Sequence, residues 1–167
     1  DYRLEQVFEA ARTYGYDGVE FRIDAKHAHG IEVGSEPGVR ARAARLAGQT
    51  GVRIACVATS CRYADPAVVA EMVESTRAAL DLAADLGAPR LRVFGGAIPE
   101  GRPREQAIRG VADALASVAE HAARRGVVVC METHDHWCDP AHVAAVMKAA
   151  NHPFVAVNWD IMHPVRV

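Results

Sequence analysis

The sequence predicts an α/β protein in which parallel strands alternate with helices. Five short apolar or alternating runs predict strands, and segments with helical periodicity separate them. Four of the helices end at glycines spaced 36, 36 and 39 residues apart: Gly15, Gly51, Gly87 and Gly126. Such a spacing fits one repeated unit of strand, loop and helix. Helices of this length between strands imply right-handed crossovers and a parallel sheet covered by helices.

The first two units show how each element is predicted. An apolar stripe within residues 4–11 predicts a helix that ends at Gly15, and the alternating residues 17–23 predict the first strand. Pro37 suits the start of the second helix, because proline is favoured in the first helical turn. The apolar residues 52–58 then predict a second, buried strand.

The remaining three units follow the same pattern. Prolines predict the starts of their helices, which we place at Pro66, Pro103 and Pro140. Asp139 is suited to cap the last of these helices. Strands follow the three helices at residues 91–94, 127–132 and 154–159.

A closed barrel and an open sheet both agree with this alternation. A full eight-stranded (β/α) barrel takes about 250 residues. The chain would therefore be a single domain, residues 1–167, of an incomplete TIM barrel that lacks one strand before Asp1 and two after Val167. A doubly wound open sheet fits the length without missing strands. However, its usual nucleotide-binding motifs follow none of the predicted strands, which favours the barrel.

Composition and charge narrow the partners and the compartment. The 19 basic and 21 acidic residues give a net charge of -2, without the basic stripe that nucleic-acid binding requires. No apolar run approaches the roughly 20 residues of a membrane span. The cysteines form no C-x-x-C motif, which favours a reduced, cytoplasmic protein. Because an incomplete barrel exposes strand edges, the chain would need a partner, such as a second copy, or would aggregate.

Two predicted strands end in polar residues that suit a metal site. In parallel α/β folds the ligand site lies at the carboxyl ends of the strands. One strand ends at Glu132 and continues into His134, and the last strand leads into Asp160 and His163. A carboxylate at the end of a buried strand is costly to ionise, and a divalent cation compensates it well. Each carboxylate also has a simpler interpretation: Glu132 pairs with an arginine or caps a helix, and Asp160 begins a loop.

Three stretches carry a resemblance to a known superfamily. They are GVEFR at residues 18–22, VCMETH at residues 129–134 and WDIMHP at residues 159–164. With them, the chain resembles the xylose-isomerase-like barrels of sugar phosphate isomerases and epimerases. The resemblance implies that Glu132 and Asp160 bind one divalent metal ion, Mn, Mg, Co or Zn. It places two further ligands, a histidine and a glutamate, beyond the last residue.

The resemblance implies an aldose–ketose isomerase or a ketose epimerase of carbohydrate metabolism, acting on a sugar or a sugar phosphate. The metal ion would bind the carbonyl and adjacent hydroxyl oxygens and stabilise an enediolate. Glu132 would be both a ligand and the catalytic base that accepts the proton. Cys138 stands where some epimerases carry a substrate-contacting glutamate, so the sequence departs from them there.

Further side chains are candidate substrate contacts: His163, His134, Glu20 and Arg22. The resemblance implies the role of His163, which the related endonuclease branch uses as a metal ligand. His134 and His136 alternate, so at most one of them faces the site, and His134 is nearer to Glu132. Glu20 and Arg22 share one side of the first strand. They contact substrate if that side is the barrel interior, and otherwise form a cross-strand ion pair.

Four arginines are candidates for binding an anionic group. Arg62 and Arg166 follow strands and are the better placed. Arg90 and Arg92 are less favoured, because Arg90 lies at the amino end of its strand, away from the site.

Two other functions stay open. One is a zinc-dependent phosphodiesterase of the endonuclease branch, whose trinuclear site needs histidines at earlier strand ends. This sequence has Ser60, Cys61, Gly95 and Gly96 there, which argues against that site. The other is a non-catalytic barrel module that keeps the fold without a complete site.

Overall fold

The computed structural model of the chain describes residues 1–166, without the side chain of Arg166, and five helices alternate with five strands in this part. The helices are α1 (Leu4–Thr13), α2 (Pro37–Thr50), α3 (Val69–Asp85), α4 (Arg104–Arg125) and α5 (Pro140–Ala150). The strands are β1 (Gly18–Arg22), β2 (Arg53–Arg62), β3 (Arg90–Phe94), β4 (Val128–Glu132) and β5 (Val155–Asn158). Short 3-10 turns at Asp135–Trp137 and Pro164–Arg166 follow the last two strands. None of the described helices has the length and apolarity that a membrane crossing requires.

The five strands form one parallel sheet, and their order in space is their order along the chain. A doubly wound sheet would instead reverse its strand order at a switch point. No such reversal occurs among the strands of residues 1–166. The predicted α/β class is confirmed, and the sheet is part of a (β/α) barrel rather than an open doubly wound sheet.

The strand register gives the sheet two different faces. One row of paired residues is apolar across all five strands: Phe21, Val57, Leu91, Val129 and Val155. The first four of them are buried in the core against the helices. The adjacent row points to the opposite side: Arg22, Ala58, Arg92, Cys130 and Ala156. We call this second side the inner face, because it faces the interior of the barrel.

The ends of the helices follow the predicted turn chemistry. The four glycines predicted to end helices have positive φ values between 68° and 75°, a region that glycine adopts without steric cost. Asp139 caps α5, because its Oδ1 accepts the backbone N–H of Ala141 at 2.9 Å. The predicted start of α3, at Pro66, was wrong by three residues. The chain forms a turn after Asp65, whose side chain accepts the N–H of Ala67, and the helix begins only at Val69.

Candidate functional site

Glu132 is the last residue of β4, and its carboxylate forms an ion pair with an arginine of the neighbouring strand. Its Oε2 lies 2.9 Å from Nε of Arg92, and the two side chains are 12% and 9% exposed. The register partner of Glu132 is Phe94. Arg92, two residues before Phe94, therefore lies on the same inner face but further from the carboxyl end of the strand. The opposite charges compensate one another where water is largely excluded. The structure therefore shows the arginine pairing that the sequence left open for Glu132.

Two histidines join Glu132 at the carboxyl end of the sheet. Possible ligand atoms of Glu132, His134 and His163 all lie within 4.8 Å of one another, and we call these three residues the Glu132 cluster. The two imidazole rings meet edge to face with centroids 4.2 Å apart. The ring of Phe94 lies 4.9 Å from that of His134 and forms an apolar wall beside it.

Asp160 lies directly beside the Glu132 cluster. Its Oδ1 accepts the backbone N–H groups of Met162 at 2.7 Å and His163 at 3.2 Å, which fixes the turn that carries the His163 ring. Its Oδ2 lies 3.9 Å from Nε2 of His163. Hydrogen bonds from these two backbone groups hold the pKa of Asp160 below the ordinary value for an aspartate, and the bond from Met162 has the larger effect. Asp160 is therefore ionised at neutral pH.

Thr133 joins the carboxyl ends of β4 and β5. Its fully buried hydroxyl accepts the N–H of Asp160 at 2.9 Å and donates to the Asp160 carbonyl at 3.3 Å. Its own N–H donates to the carbonyl of Asn158 at 3.1 Å. Thr133, which directly follows Glu132, thus fixes the position of Asp160 relative to Glu132.

A tryptophan joins the turn after β4 to the end of β3. The indole N–H of the fully buried Trp137 donates to the Gly96 carbonyl at 2.8 Å. Gly95 leaves room for that ring, since a Cβ there would lie 2.3 Å from the indole nitrogen. Trp137 is therefore a packing residue, whereas Trp159 is 53% exposed.

The two alternating histidines after Glu132 occupy different places. His134 belongs to the Glu132 cluster. Nδ1 of His136 instead accepts the N–H of Ile98, in the loop between β3 and α4. Only one of the two therefore lies at the cluster, as the alternation indicates.

Glu20 and Arg22 lie on the inner face, but on β1, three strands from Glu132. Both side chains are exposed, and neither forms an ion pair within residues 1–166. Glu20 lines a cavity of about 520 Å³ on this face, together with Cys56, Arg90, Cys130 and Asn158. Burial, and then the Glu20 carboxylate, raises the pKa of the Cys56 thiol to about 12, so this thiol stays protonated. The role of Glu20 and Arg22 as substrate contacts stays a prediction.

Arg92 is the site residue that the sequence ranked too low among the candidate arginines. Arg90 was correctly predicted to lie at the amino end of its strand, since it begins β3 and is exposed. Arg92, set aside together with it, instead contacts Glu132. Arg62 is exposed and packs against Gly96, while the side chain of Arg166 lies outside the described residues. An arginine between the apolar residues Leu91 and Val93, inside a short buried strand, was the one available signal.

The residues at this edge fit a divalent metal ion. A carboxylate oxygen and two imidazole nitrogens within 4.8 Å, with a second carboxylate adjacent, form a donor set that zinc and manganese accept. The ion pair engages Oε2 of Glu132, and Oε1 accepts no hydrogen bond within residues 1–166. The ion pair with Arg92 and metal binding are therefore compatible.

The sequence as a whole matches one family. The family model described as "Xylose isomerase-like TIM barrel" matches residues 8–166. The chain belongs to this family. No curated protein matches the sequence.

Three solved structures show the same fold at low identity. D-psicose 3-epimerase, crystallised in the presence of D-fructose, has 17% identity and a TM-score of 0.81 over 99% of this chain and 61% of its own. The IolI protein with a bound zinc atom has 14% identity and a TM-score of 0.80 over 98% and 59%. The probable 3-DHS dehydratase AsbF from Bacillus anthracis has 16% identity and a TM-score of 0.79 over 98% and 59%. The chain thus spans about three-fifths of these structures.

Proposed function

We propose that this chain carries the metal-binding and proton-transfer residues of a sugar or sugar-phosphate isomerase or epimerase. The observation that carries the proposal is the Glu132 cluster with Asp160 beside it, at the carboxyl edge of a parallel barrel sheet. This edge is where barrels of this class place their ligand sites. The likeness to a sugar epimerase supports the substrate class, and the domain boundaries, residues 1–167, stay a prediction.

Glu132 and Asp160 are the proposed ligands of one divalent ion, Mn, Mg, Co or Zn, with His134 and His163 adjacent. The zinc atom bound by IolI supports this assignment. The ion supplies a Lewis acid that polarises a substrate carbonyl. Arg92 compensates the charge of the Glu132 carboxylate and orients it, and the turn at Asp160 orients the second carboxylate.

Glu132 is also the proposed base. A carboxylate oxygen of Glu132 takes the proton from the carbon next to the substrate carbonyl, and the reaction passes through an enediolate. The imidazoles of His134 and His163 stand within 4.8 Å of that carboxylate and donate hydrogen bonds to substrate hydroxyl groups. Phe94 forms the apolar wall of the site beside His134.

The proposed substrate is a small sugar or sugar phosphate, bound along the inner face in a cytoplasmic enzyme of carbohydrate metabolism. Glu20 and Arg22 lie on this face and are proposed to contact the distal part of the substrate. Nucleic acid is not a proposed partner, because the 19 basic and 21 acidic residues are spread along the sequence without a basic stripe. Self-association is part of the same proposal.

The endonuclease alternative is less well supported by the residues at the earlier strand ends. Cys61 is buried, and Gly95 and Gly96 pack against Trp137 and Arg62, so no histidine stands at the described ends of β2 and β3. A non-catalytic module would have no need for Glu132, His134 and His163 to converge. Both alternatives predict no exchange of substrate protons.

The test is solvent deuterium incorporation. The protein is loaded with Mn²⁺ and incubated in D₂O with D-fructose or D-ribulose 5-phosphate, and exchange next to the carbonyl is followed by NMR. We expect exchange that Glu132→Gln reduces at least about 100-fold, because it removes the base. His136→Gln is the matched control and should exchange normally, since His136 lies outside the cluster. Equal exchange in Glu132→Gln and the parent protein would overturn the proposal.

A further inference from the structure

Arg92 is unusual among the charged residues of this chain. It is 8% exposed, and it is the one charged residue among the buried residues of the described part. Burying an arginine is costly unless its charge and its donors are used. The contacts of its guanidinium group therefore indicate what it does.

Part of the guanidinium group is fixed by the protein. Nε forms the 2.9 Å ion pair with Glu132, and Nη1 donates to the carbonyl of Thr59 at 2.6 Å. The guanidinium carbon lies 4.1 Å from the centre of the Phe94 ring, so the planar group rests on an aromatic surface. Three different neighbours thus determine the plane and the rotation of the group.

The remaining edge of the group is open. Nη2 donates no hydrogen bond within residues 1–166, and it is not among their fully buried polar atoms without a partner. This nitrogen is therefore not sealed from solvent. A rigidly held guanidinium with free donors is suited to bind a carboxylate or a phosphate, whose oxygens match its fork geometry.

The charges nearby leave this edge available for a ligand. Arg22 and Arg90 are on the same face and form no ion pair within the described residues. The acidic residues on the inner face of the described strands are Glu20 and Glu132. Glu132 contacts Nε of Arg92 rather than Nη2. If Arg92 served only to neutralise Glu132, the open donors would have no use.

We infer that Arg92 binds an anionic group of the substrate, a carboxylate or a phosphate, through the open edge of its guanidinium. The site then selects sugar acids or sugar phosphates over neutral sugars. This inference rests on the proposed function, because it assigns the substrate class of the same site. Arg92 thereby couples substrate charge to the position of Glu132, since one side chain contacts both.

The test measures binding in the metal-free protein, so that a metal ion cannot attract the anion. Dissociation constants are determined in EDTA for three probes: D-fructose, D-fructose 6-phosphate and D-gluconate. We expect at least one anionic probe to bind about tenfold more tightly than D-fructose. The probe that does so distinguishes a phosphate from a carboxylate substrate.

Variants then assign the preference to Arg92. Arg92→Met should reduce it to less than about twofold, and Arg92→Lys should retain part of it, because lysine keeps the charge without the fork. The matched control is Arg53→Met, an exposed arginine at the amino end of β2, which should retain the full preference. If Arg92→Met fails to fold by circular dichroism, Arg92→Lys decides, with at least a threefold loss of preference expected.

The outcomes separate this inference from the proposed function. Deuterium exchange on D-fructose without any preference for an anionic probe overturns the inference alone. A preference that survives in Arg92→Lys and Arg92→Met also overturns it. An anion preference that depends on Arg92, in a protein that exchanges no deuterium, supports the role of Arg92 and contradicts the isomerase proposal.

Discussion

The ends of β4 and β5 each present a carboxylate to the candidate site, but they hold it in different ways. Glu132 is nearly buried, and its partner Arg92 comes from another strand, 40 residues earlier in the chain. Asp160 is more exposed and accepts backbone N–H groups two and three residues further on. One carboxylate is positioned by tertiary structure and the other by its own turn.

This difference has consequences for stability and for prediction. A long-range ion pair makes the position of Glu132 depend on the correct packing of β3 against β4, so its loss should affect the whole domain. A local turn requires only that its own residues are suitable, so its loss should remain local. Thr133 connects the two arrangements through its hydroxyl.

The largest effect is expected from breaking the ion pair. Arg92→Met leaves the Glu132 carboxylate nearly buried without its partner, and we expect the free energy of unfolding to fall by about 3–5 kcal/mol. Urea denaturation measures it. The double variant Arg92→Met with Glu132→Leu should recover most of that loss, because no charge is then left unpaired. A double variant as unstable as the single one would show that the unpaired Glu132 charge is not the cause of the loss.

A smaller effect is expected from the packing of Trp137 against the end of β3. Gly95→Ala places a methyl group 2.3 Å from the indole nitrogen of the fully buried Trp137, and neither can move freely. We expect a loss of about 1–3 kcal/mol in thermal or urea unfolding. Gly48→Ala is the control, because its Cβ meets no atom within 4 Å on α2. Equal stability of both variants would contradict this packing account.

The connection between the two ends can be tested at Thr133. Thr133→Val removes the buried acceptor of the Asp160 N–H, and we expect a loss of about 1–2 kcal/mol. Thr133→Ser keeps the hydroxyl and should retain most of the stability. A Thr133→Val protein as stable as the parent would contradict this role of the hydroxyl.

The smallest effect concerns the titration of Asp160 in the metal-free protein. Its pKa is lower in the folded state, so its stabilising contribution is present above the pKa of the unfolded chain and is lost as pH falls through the folded pKa. Carboxyl NMR should show Asp160 titrating below an ordinary aspartate, about 3.9. Asp160→Asn should make acid unfolding slightly less steep. Titration at or above the ordinary value would contradict the role of the backbone hydrogen bonds.

Much of the fold could be predicted because its signals are local. Each glycine predicted to end a helix adopts a positive φ, and the Asp139 cap forms as expected. The start of α3 was missed, because Pro66 suits a turn as well as a first helical residue, and the Asp65 side chain stabilises the turn. The choice between barrel and open sheet needed the strand order, which is a tertiary property.

The site divides along the same line. Glu132, His134, Asp160 and His163 could be identified because strand ends are visible in the sequence, and the structure brings them together. The ion pair of Arg92 with Glu132 could not be predicted, because it depends on the register of β3 against β4. A shift of one residue would turn Arg92 towards the helices and leave Glu132 without this partner.

The most direct test of the central claim is a calorimetric titration of the protein with Mn²⁺ and Zn²⁺. We predict one ion bound per chain, with the affinity of Glu132→Gln at least about tenfold weaker. The control His136→Gln should bind as the parent protein does, since His136 contacts Ile98 instead. Glu132→Gln binding the ion as tightly as the parent protein would contradict the claim that Glu132 is part of a metal site.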